Sequence, residues 1–113
     1  MSPGDIVFAL LPQADTELKP RPSLVLKIIP PFDDLLVCGI TTRLRNFTPV
    51  LDELILFTDD DFAMSGLEKD SMIRLGYLIT YPKWQLNDPI GRISISRLNQ
   101  LLQRLSTFIA QGE

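Results

Sequence analysis

Closely spaced turn signals limit this chain to short structural elements through most of its length. Prolines, glycines and acidic pairs interrupt the sequence about every eight to twelve residues, as far as Pro82. The runs between them are rich in Val, Ile, Leu and aromatic residues, which favour β-strands. Only the last part has a helical period. This pattern predicts a mainly β fold, a small barrel or roll, with one C-terminal helix packed at one end.

The apolar runs predict strands within residues 4–81. Their predicted ranges are 5–10, 23–29, 35–40, about 53–57, 71–75 and 77–81, with the last two joined or bent at Gly76. Residues 13–20 are polar and are predicted to form a loop. Residues 62–67 match neither a strand nor a helix pattern.

A single apolar stripe predicts a helix over about residues 95–110. Its members recur at steps of three and four residues: Leu98, Leu101, Leu102, Leu105, Phe108 and Ile109. Arg97, Gln100, Arg104 and Gln111 are expected on the solvent side. Ser94 or Ser96 can cap the first turn, and Gly112 lies at the end. We expect Phe8 and Phe108 to lie in the core.

Length and residue usage narrow the possible chemistry. The 113 residues suit one domain over residues 1–113. The chain has no histidine and one cysteine, so Ser-His-Asp and Cys-His catalysis are excluded and a zinc site would be poor. Cys38 lies in an apolar run, where a buried thiol is the favoured interpretation over a nucleophile. A lone cysteine and the lack of a secretory signal predict a cytoplasmic protein.

The net charge of −3 argues against general nucleic-acid binding, but its distribution is uneven. An acidic block lies at Asp52, Glu53, Asp59, Asp60 and Asp61. Basic residues fall in or beside predicted loops and strand ends, at Lys19, Arg21, Arg43, Arg45 and Arg74. A local basic patch on an acidic protein is therefore possible.

Five short motifs, in this order, resemble the PemK/MazF family of toxins from bacterial toxin–antitoxin modules. They are residues 4–10 (GDIVFAL), 19–26 (KPRPSLVL), 38–42 (CGITT), 70–74 (DSMIR) and 90–94 (IGRIS). The resemblance extends over roughly residues 3–110. It implies an SH3-like barrel with a C-terminal helix and a homodimer. It also implies cleavage of single-stranded RNA at short sequences, without a metal or other cofactor, and inhibition by a cognate antitoxin.

The resemblance also implies the site residues. The family's catalytic arginine corresponds to Arg21, its active-site threonine to Thr41, and an arginine of some members to Arg74. Gly76 stands where those members have an acidic residue, and Tyr77 where glutamine is usual. From the residues alone, Arg21 could be a surface side chain, Thr41 could bond to backbone, and Arg74 could pair with Asp70 or Glu68.

Further residues are expected on an RNA-binding surface: Lys19, Thr42, Arg43, Arg45, Glu17 and Tyr77. Arg43 and Arg45 could follow the RNA backbone or belong to a solvated loop. Tyr77 and Trp84 are the candidates for base stacking, although core packing or a dimer interface is favoured for Trp84. Phe47 lies in a polar loop and could contact RNA or a second subunit.

Arginine forks match two phosphate oxygens and can stabilise the charge that develops when a 2′-hydroxyl attacks the adjacent phosphate. Arginine is a poor general base. Asp15 or Glu17, in the loop before Arg21, could supply the missing carboxylate. The alternative function is a non-catalytic toxin or regulatory homologue of the same fold that binds a protein, as the gyrase poison CcdB does.

Overall fold

A computed structural model describes residues 1–111, and six antiparallel strands form one sheet that curls into a half-barrel. The sheet order is β4-β5-β3-β2-β1-β6. In chain order the elements are β1 (Asp5–Pro12), β2 (Leu18–Ile29), β3 (Asp34–Thr41), β4 (Asp52–Ile55), α1 (Phe62–Ser65), β5 (Ser71–Tyr81), a 3₁₀ turn (Lys83–Gln85), β6 (Gly91–Arg92) and α2 (Ile95–Ala110). The predicted mainly β class with a C-terminal helix is confirmed.

Strand β2 is longer than the sequence suggested. Its first residues pair with β1, from Leu18 opposite Pro12 to Pro22 opposite Phe8. The predicted loop over residues 13–20 is therefore wrong beyond residue 17. The turn between β1 and β2 places Thr16 at a φ of 68°, a left-handed conformation that a β-branched residue disfavours.

The joined alternative for residues 71–75 and 77–81 is confirmed, and two elements had no predicted counterpart. Residues 71–81 form one strand, β5, because a bulge accommodates Gly76: the register against β3 shifts between the pairs Cys38–Leu78 and Gly39–Arg74. Residues 62–65 form the short helix α1, and β6 was missed because two residues carry no periodic signal. The α2 helix begins and ends as predicted.

The main core lies between one face of the sheet and α2. Ile6, Leu24 and Ile73 are fully buried there, together with Leu101 of the helix. Cys38 belongs to the same cluster, as predicted. Burial raises the pKa of its thiol to about 12, against the opposing effect of backbone hydrogen bonds.

The core is shorter than the apolar pattern suggested. Phe8 is 44% exposed, because β1 continues beyond the part of the sheet that α2 covers, and Phe108 is 43% exposed in the last turns of α2. The prediction that these two side chains lie in the core is wrong. Only Leu101 and Leu105 of the helical stripe are fully enclosed.

Two arginines that were expected to face solvent instead hold α2 against the acidic block. The Arg97 guanidinium contacts Glu53 at 2.8 Å, Asp59 at 2.9 Å and Asp61 at 2.9 Å. Arg104 contacts Glu53 at 2.9 Å. The prediction of a solvated arginine face is therefore wrong.

The Asp61 carboxylate is held in its charged form. Burial alone would raise its pKa, but hydrogen bonds from Arg97 and from the Ser94 N–H, with the attraction of Arg97, outweigh burial and lower the pKa from 3.8. The Ser94 hydroxyl in turn accepts a hydrogen bond from the Arg97 N–H at 3.1 Å, which makes Ser94 the predicted cap of α2. Gly112, the predicted end signal, lies outside the described residues. None of the helices within residues 1–111 has the length and hydropathy needed to cross a bilayer.

Candidate active site

Two prolines end the pairing between β2 and β3. In the β1–β2 hairpin, the Gln13 N–H donates to the Glu17 carbonyl oxygen at 2.8 Å. The N–H and C=O groups of odd-numbered residues on β1 and β2 therefore point towards the partner strand, and those of even-numbered residues point away from it. The backbones of Pro20 and Pro22 consequently face β3, where neither can donate an N–H. The β2–β3 ladder stops at the pair Ser23–Gly39. The two strands are therefore free to separate beyond this pair.

Arg21 and Thr41 lie side by side at this opening. Each is two residues beyond the pair Ser23–Gly39, Arg21 on β2 and Thr41 at the end of β3. Because side chains alternate along a strand, both lie on the face of the sheet to which Ser23 and Gly39 belong. The strands lie roughly 4.8 Å apart at the last pair and are unpaired beyond it, so Arg21 and Thr41 flank the opening between them.

The two side chains differ in their freedom. Arg21 is exposed, and none of the ion pairs within residues 1–111 involves it. Thr41 is half-buried, and its Oγ1 accepts a hydrogen bond from the Arg43 N–H at 3.0 Å. That contact is the backbone bond expected of a strand-end threonine. It fixes the oxygen and leaves the hydroxyl proton available for donation.

Arg74 joins the same face from the other side of β3. It is the cross-strand partner of Gly39, as Ser23 is on β2, and its side chain is exposed. No ion pair links it to Asp70 or Glu68 within the described chain. Arg21, Thr41 and Arg74 thus occupy one face across three neighbouring strands.

Tyr77 lies over the centre of this face. Its ring atoms approach within 3.6 Å of the position that a Cβ on Gly39 would occupy, as does Leu11 Cδ1. Its hydroxyl donates to Pro12 O at 2.6 Å. Tyr81, which no sequence signal singled out, donates to Leu10 O at 2.8 Å. Base stacking by Tyr77 stays a prediction, and its hydroxyl already has a hydrogen-bond partner in the protein.

The remaining candidates surround this centre at its solvent side. Lys19 lies on β2, with its Nζ 4.0 Å from a Glu17 carboxylate oxygen. Asp15 accepts a hydrogen bond from the Glu17 N–H at 3.1 Å and so shapes the turn. The loop after β3 exposes three candidates to solvent: Thr42, Arg43 and Arg45.

Most of the acidic block lies on the α2 side of the sheet. Glu53 is paired across the sheet with Ile73, on the α2 side, where Arg97 and Arg104 engage it. Arg97 and Arg104 thereby compensate Glu53, Asp59 and Asp61 on that side. Asp52 is the exception, since it is the cross-strand partner of Arg74, where its buried carboxylate accepts from the Thr48 N–H at 2.8 Å. This arrangement leaves a locally basic face on a protein of net charge −3, and such a face can attract a phosphate backbone.

The two other aromatic candidates lie away from the centre. Trp84 is 81% exposed in the 3₁₀ turn after β5, so it does not pack in the core of this chain, and the dimer-interface alternative stays a prediction. Phe47 is 42% exposed in the loop before β4, in agreement with the lack of a burial signal around it.

A known protein family and solved structures share this architecture. The sequence model of the PemK-like, MazF-like toxins of type II toxin–antitoxin systems matches residues 2–109. The Mycobacterium tuberculosis toxin MazF-mt6 superposes with a TM-score of 0.69, at 23% identity, over 96% of this chain and 99% of that chain. An endoribonuclease in complex with its cognate antitoxin, from a mycobacterial species, gives 0.69 at 16% identity, over 100% of this chain and 98% of that chain. No curated protein matches this chain.

Proposed function

Because this chain belongs to the PemK-like, MazF-like family of type II toxin–antitoxin toxins, we propose that it is a sequence-specific endoribonuclease that cleaves single-stranded RNA without a metal. The observation that carries this proposal is the common position of Arg21, Thr41 and Arg74 on one face, across three adjacent strands. Two cations and one hydroxyl donor at that spacing suit a single phosphodiester.

The reaction needs only the protein, the RNA and water. The 2′-oxygen attacks the adjacent phosphorus and loses its proton to a base, a cyclic phosphate forms, and the bond from phosphorus to the 5′-oxygen breaks as that oxygen takes a proton from water. Arg21 and Arg74 stabilise the negative charge on the phosphate oxygens. Thr41 donates its hydroxyl proton to one of them, since its oxygen is already fixed by the Arg43 N–H.

The base is a carboxylate of the hairpin turn. Asp15 is engaged with the Glu17 N–H, whereas the Glu17 side chain is 68% exposed and its one ion-pair partner within residues 1–111 is Lys19, at 4.0 Å. Glu17 is therefore the better candidate to accept the 2′-proton. Cleavage by a Glu17→Gln variant and by a Glu17→Gln/Asp15→Asn variant tests this assignment, and full activity in the double variant would exclude both carboxylates.

The remaining candidates extend the site along the RNA. Lys19, Arg43 and Arg45 contact flanking phosphates, and Thr42 and Tyr77 border the path of the strand. A homodimer and a cognate antitoxin complete the functional unit, and an acidic antitoxin segment would complement the basic face. A cytoplasmic location agrees with the free thiol of Cys38.

The test compares four proteins on a varied pool of single-stranded RNA in the presence of EDTA: the wild type, Arg21→Ala, Thr41→Val and the control Arg92→Ala. Arg92 is exposed on β6, away from the site. We expect the Arg21 and Thr41 variants to lose about 10²–10³-fold in cleavage rate and the control to match the wild type. An inactive wild type would overturn the proposal, and an active Arg21→Ala variant would overturn the assigned site.

A further inference from the structure

Arg21 is carried by a part of the sheet that has few attachments to the rest. We call residues 8–22 the hairpin arm. On its β2 edge, pairing with β3 stops at the pair Ser23–Gly39. On its β1 edge, β6 pairs only with Asp5 and Ile6. Beyond these pairs the arm shares no backbone ladder with the rest of the sheet in the described chain, although Ala9 and Leu11 on its inner face are buried. A two-stranded hairpin on its own is marginally stable in water, so further attachments matter.

Two tyrosine hydroxyls attach this arm to β5. Ile6 O accepts from Ile90 N, so the carbonyls of the following even-numbered residues point to the same outer edge of β1. Leu10 O and Pro12 O are two of these, and they accept the hydroxyls of Tyr81 at 2.8 Å and Tyr77 at 2.6 Å. We call these two hydrogen bonds the tyrosine clasp. The clasp closes the curled sheet where no backbone pairing does.

The clasp lies beside the proposed site. Leu11 and the Tyr77 ring together cover Gly39, the residue two positions before Thr41. Ala9, one residue before the clasped Leu10, pairs directly with Arg21. A shift of the arm relative to β5 would therefore move Arg21 relative to Thr41 and Arg74, which lie on strands that are paired with each other.

We propose that Tyr77 and Tyr81 are positioning residues for RNA cleavage: their hydroxyls hold the hairpin arm so that Arg21 faces Thr41 and Arg74 across the opening between β2 and β3. This inference rests on the proposed nuclease function. Neither hydroxyl needs to touch RNA in this role. Because a misplacement of about 1 Å can cost about 100-fold in rate, two hydrogen bonds remote from the phosphate can control turnover.

The clasp predicts a specific pattern of kinetic effects. Either hydroxyl alone can retain the arm, so we expect Tyr77→Phe and Tyr81→Phe each to lower kcat about 3-fold and the double variant to lower it about 30-fold. KM should stay within about 3-fold of the wild type in all three, because the groups that bind RNA remain. Phenylalanine keeps the ring packing, and circular dichroism verifies that each variant is folded.

The control removes two hydroxyl hydrogen bonds elsewhere, as the double tyrosine variant does. The buried Ser65 hydroxyl donates to Phe62 O at 2.5 Å and accepts from the Leu67 N–H at 3.1 Å, away from the hairpin arm. Ser65→Ala should lower the melting temperature and leave kcat unchanged. Amide hydrogen exchange of residues 6–24 gives a second measure, and it should accelerate in the double tyrosine variant and not in Ser65→Ala.

The outcomes separate the clasp from the nuclease. A double variant that retains kcat within about 2-fold of an active wild type, or that keeps wild-type hydrogen exchange in residues 6–24, overturns the positioning role alone. A KM increase with unchanged kcat also overturns it, because the tyrosines would then bind RNA directly. A wild-type protein that does not cleave RNA overturns the proposed function itself, whatever rate of amide hydrogen exchange the hairpin arm shows.

Discussion

Replacing Arg97 with methionine would leave three carboxylates around an apolar side chain of similar length. The Arg97 side chain is 14% exposed, and the facing carboxylates of Asp61 and Glu53 are 6% and 14% exposed. Asp59 is more accessible, at 32%. The guanidinium also donates to Leu54 O at 3.0 Å. The variant therefore removes the only α2 ion-pair partner of Asp61 within residues 1–111 and one of two α2 partners of Glu53.

The expected cost is large for a chain of this size. Removing one partner of a buried ion pair costs about 3–5 kcal/mol. We expect about 3 kcal/mol, near the lower limit, because Asp59 can turn towards water and Arg104 still contacts Glu53. With a melting-temperature change of about 4 °C per kcal/mol, the variant should melt about 12 °C below the wild type.

The effect should depend on pH in a defined direction. Arg97 lowers the pKa of Asp61 from 3.8 in the folded state, so this contribution is fully present above about pH 4 and is lost as the pH falls through the folded pKa. The variant loses the guanidinium contribution to this lowered pKa, so the cost of the substitution grows as the pH rises. The difference between the two proteins is therefore largest near neutral pH and smallest near pH 3.

Urea unfolding at several pH values measures both effects, with Arg92→Met as the control for loss of one exposed positive charge. Arg92 is exposed and lies outside the ion pairs of the described chain. A loss of less than about 1 kcal/mol in Arg97→Met at neutral pH, the value of a surface ion pair, would contradict a buried ion-pair role for Arg97. A loss that is the same at all pH values would contradict it as well.

Three further predictions concern stability and reactivity. Thr16→Gly should raise the free energy of unfolding by about 0.5 kcal/mol, because Thr16 has a φ of 68°, and Thr16→Ala, which keeps the strain, should not. Gly66→Ala should lower the free energy of unfolding by roughly 3 kcal/mol or more, because Gly66 has a φ of +75° and an added Cβ would overlap the Ile90 carbonyl oxygen. Gly76→Ala is the control, since a Cβ there would lie 3.4 Å from Leu51 Cδ1, an ordinary contact. Equal melting temperatures for the two variants would contradict the prediction. Cys38, fully buried with a thiol pKa raised to about 12, should react with a disulfide reagent only as fast as the protein unfolds, and immediate labelling of the folded protein would refute its burial.

The local elements could be predicted from the sequence where periodicity was strong. The helical stripe predicted α2, and the alternating apolar runs predicted most strands. The start of β2 could not be predicted, because Pro20 and Pro22 usually mark a loop, and they are tolerated here only since their backbones face an unpaired edge. That edge depends on the neighbouring strand and not on the local sequence.

Contacts between distant residues account for the other differences. The helical pattern predicted a solvent-facing Arg97, but its partner Asp61 lies 36 positions earlier in the chain, beyond the range of a local pattern. The same limit applies to the site: Arg21, Thr41 and Arg74 could be chosen by their chemistry and by resemblance, whereas their common face follows from the registers of β2, β3 and β5. The tyrosine clasp, with partners 65 and 71 positions apart, had no local signal at all.

The most direct test of the proposed chemistry uses one RNA oligonucleotide that contains a cleaved site, and the same oligonucleotide with a single 2′-deoxy sugar on the 5′ side of the scissile bond. Attack by the 2′-oxygen predicts a 2′,3′-cyclic phosphate on the upstream product of the all-RNA strand, detected by mass spectrometry in EDTA. It also predicts that the deoxy-substituted strand remains intact at that bond. Cleavage of the substituted strand at the same position, or a 5′-phosphate on the downstream product, would contradict the account.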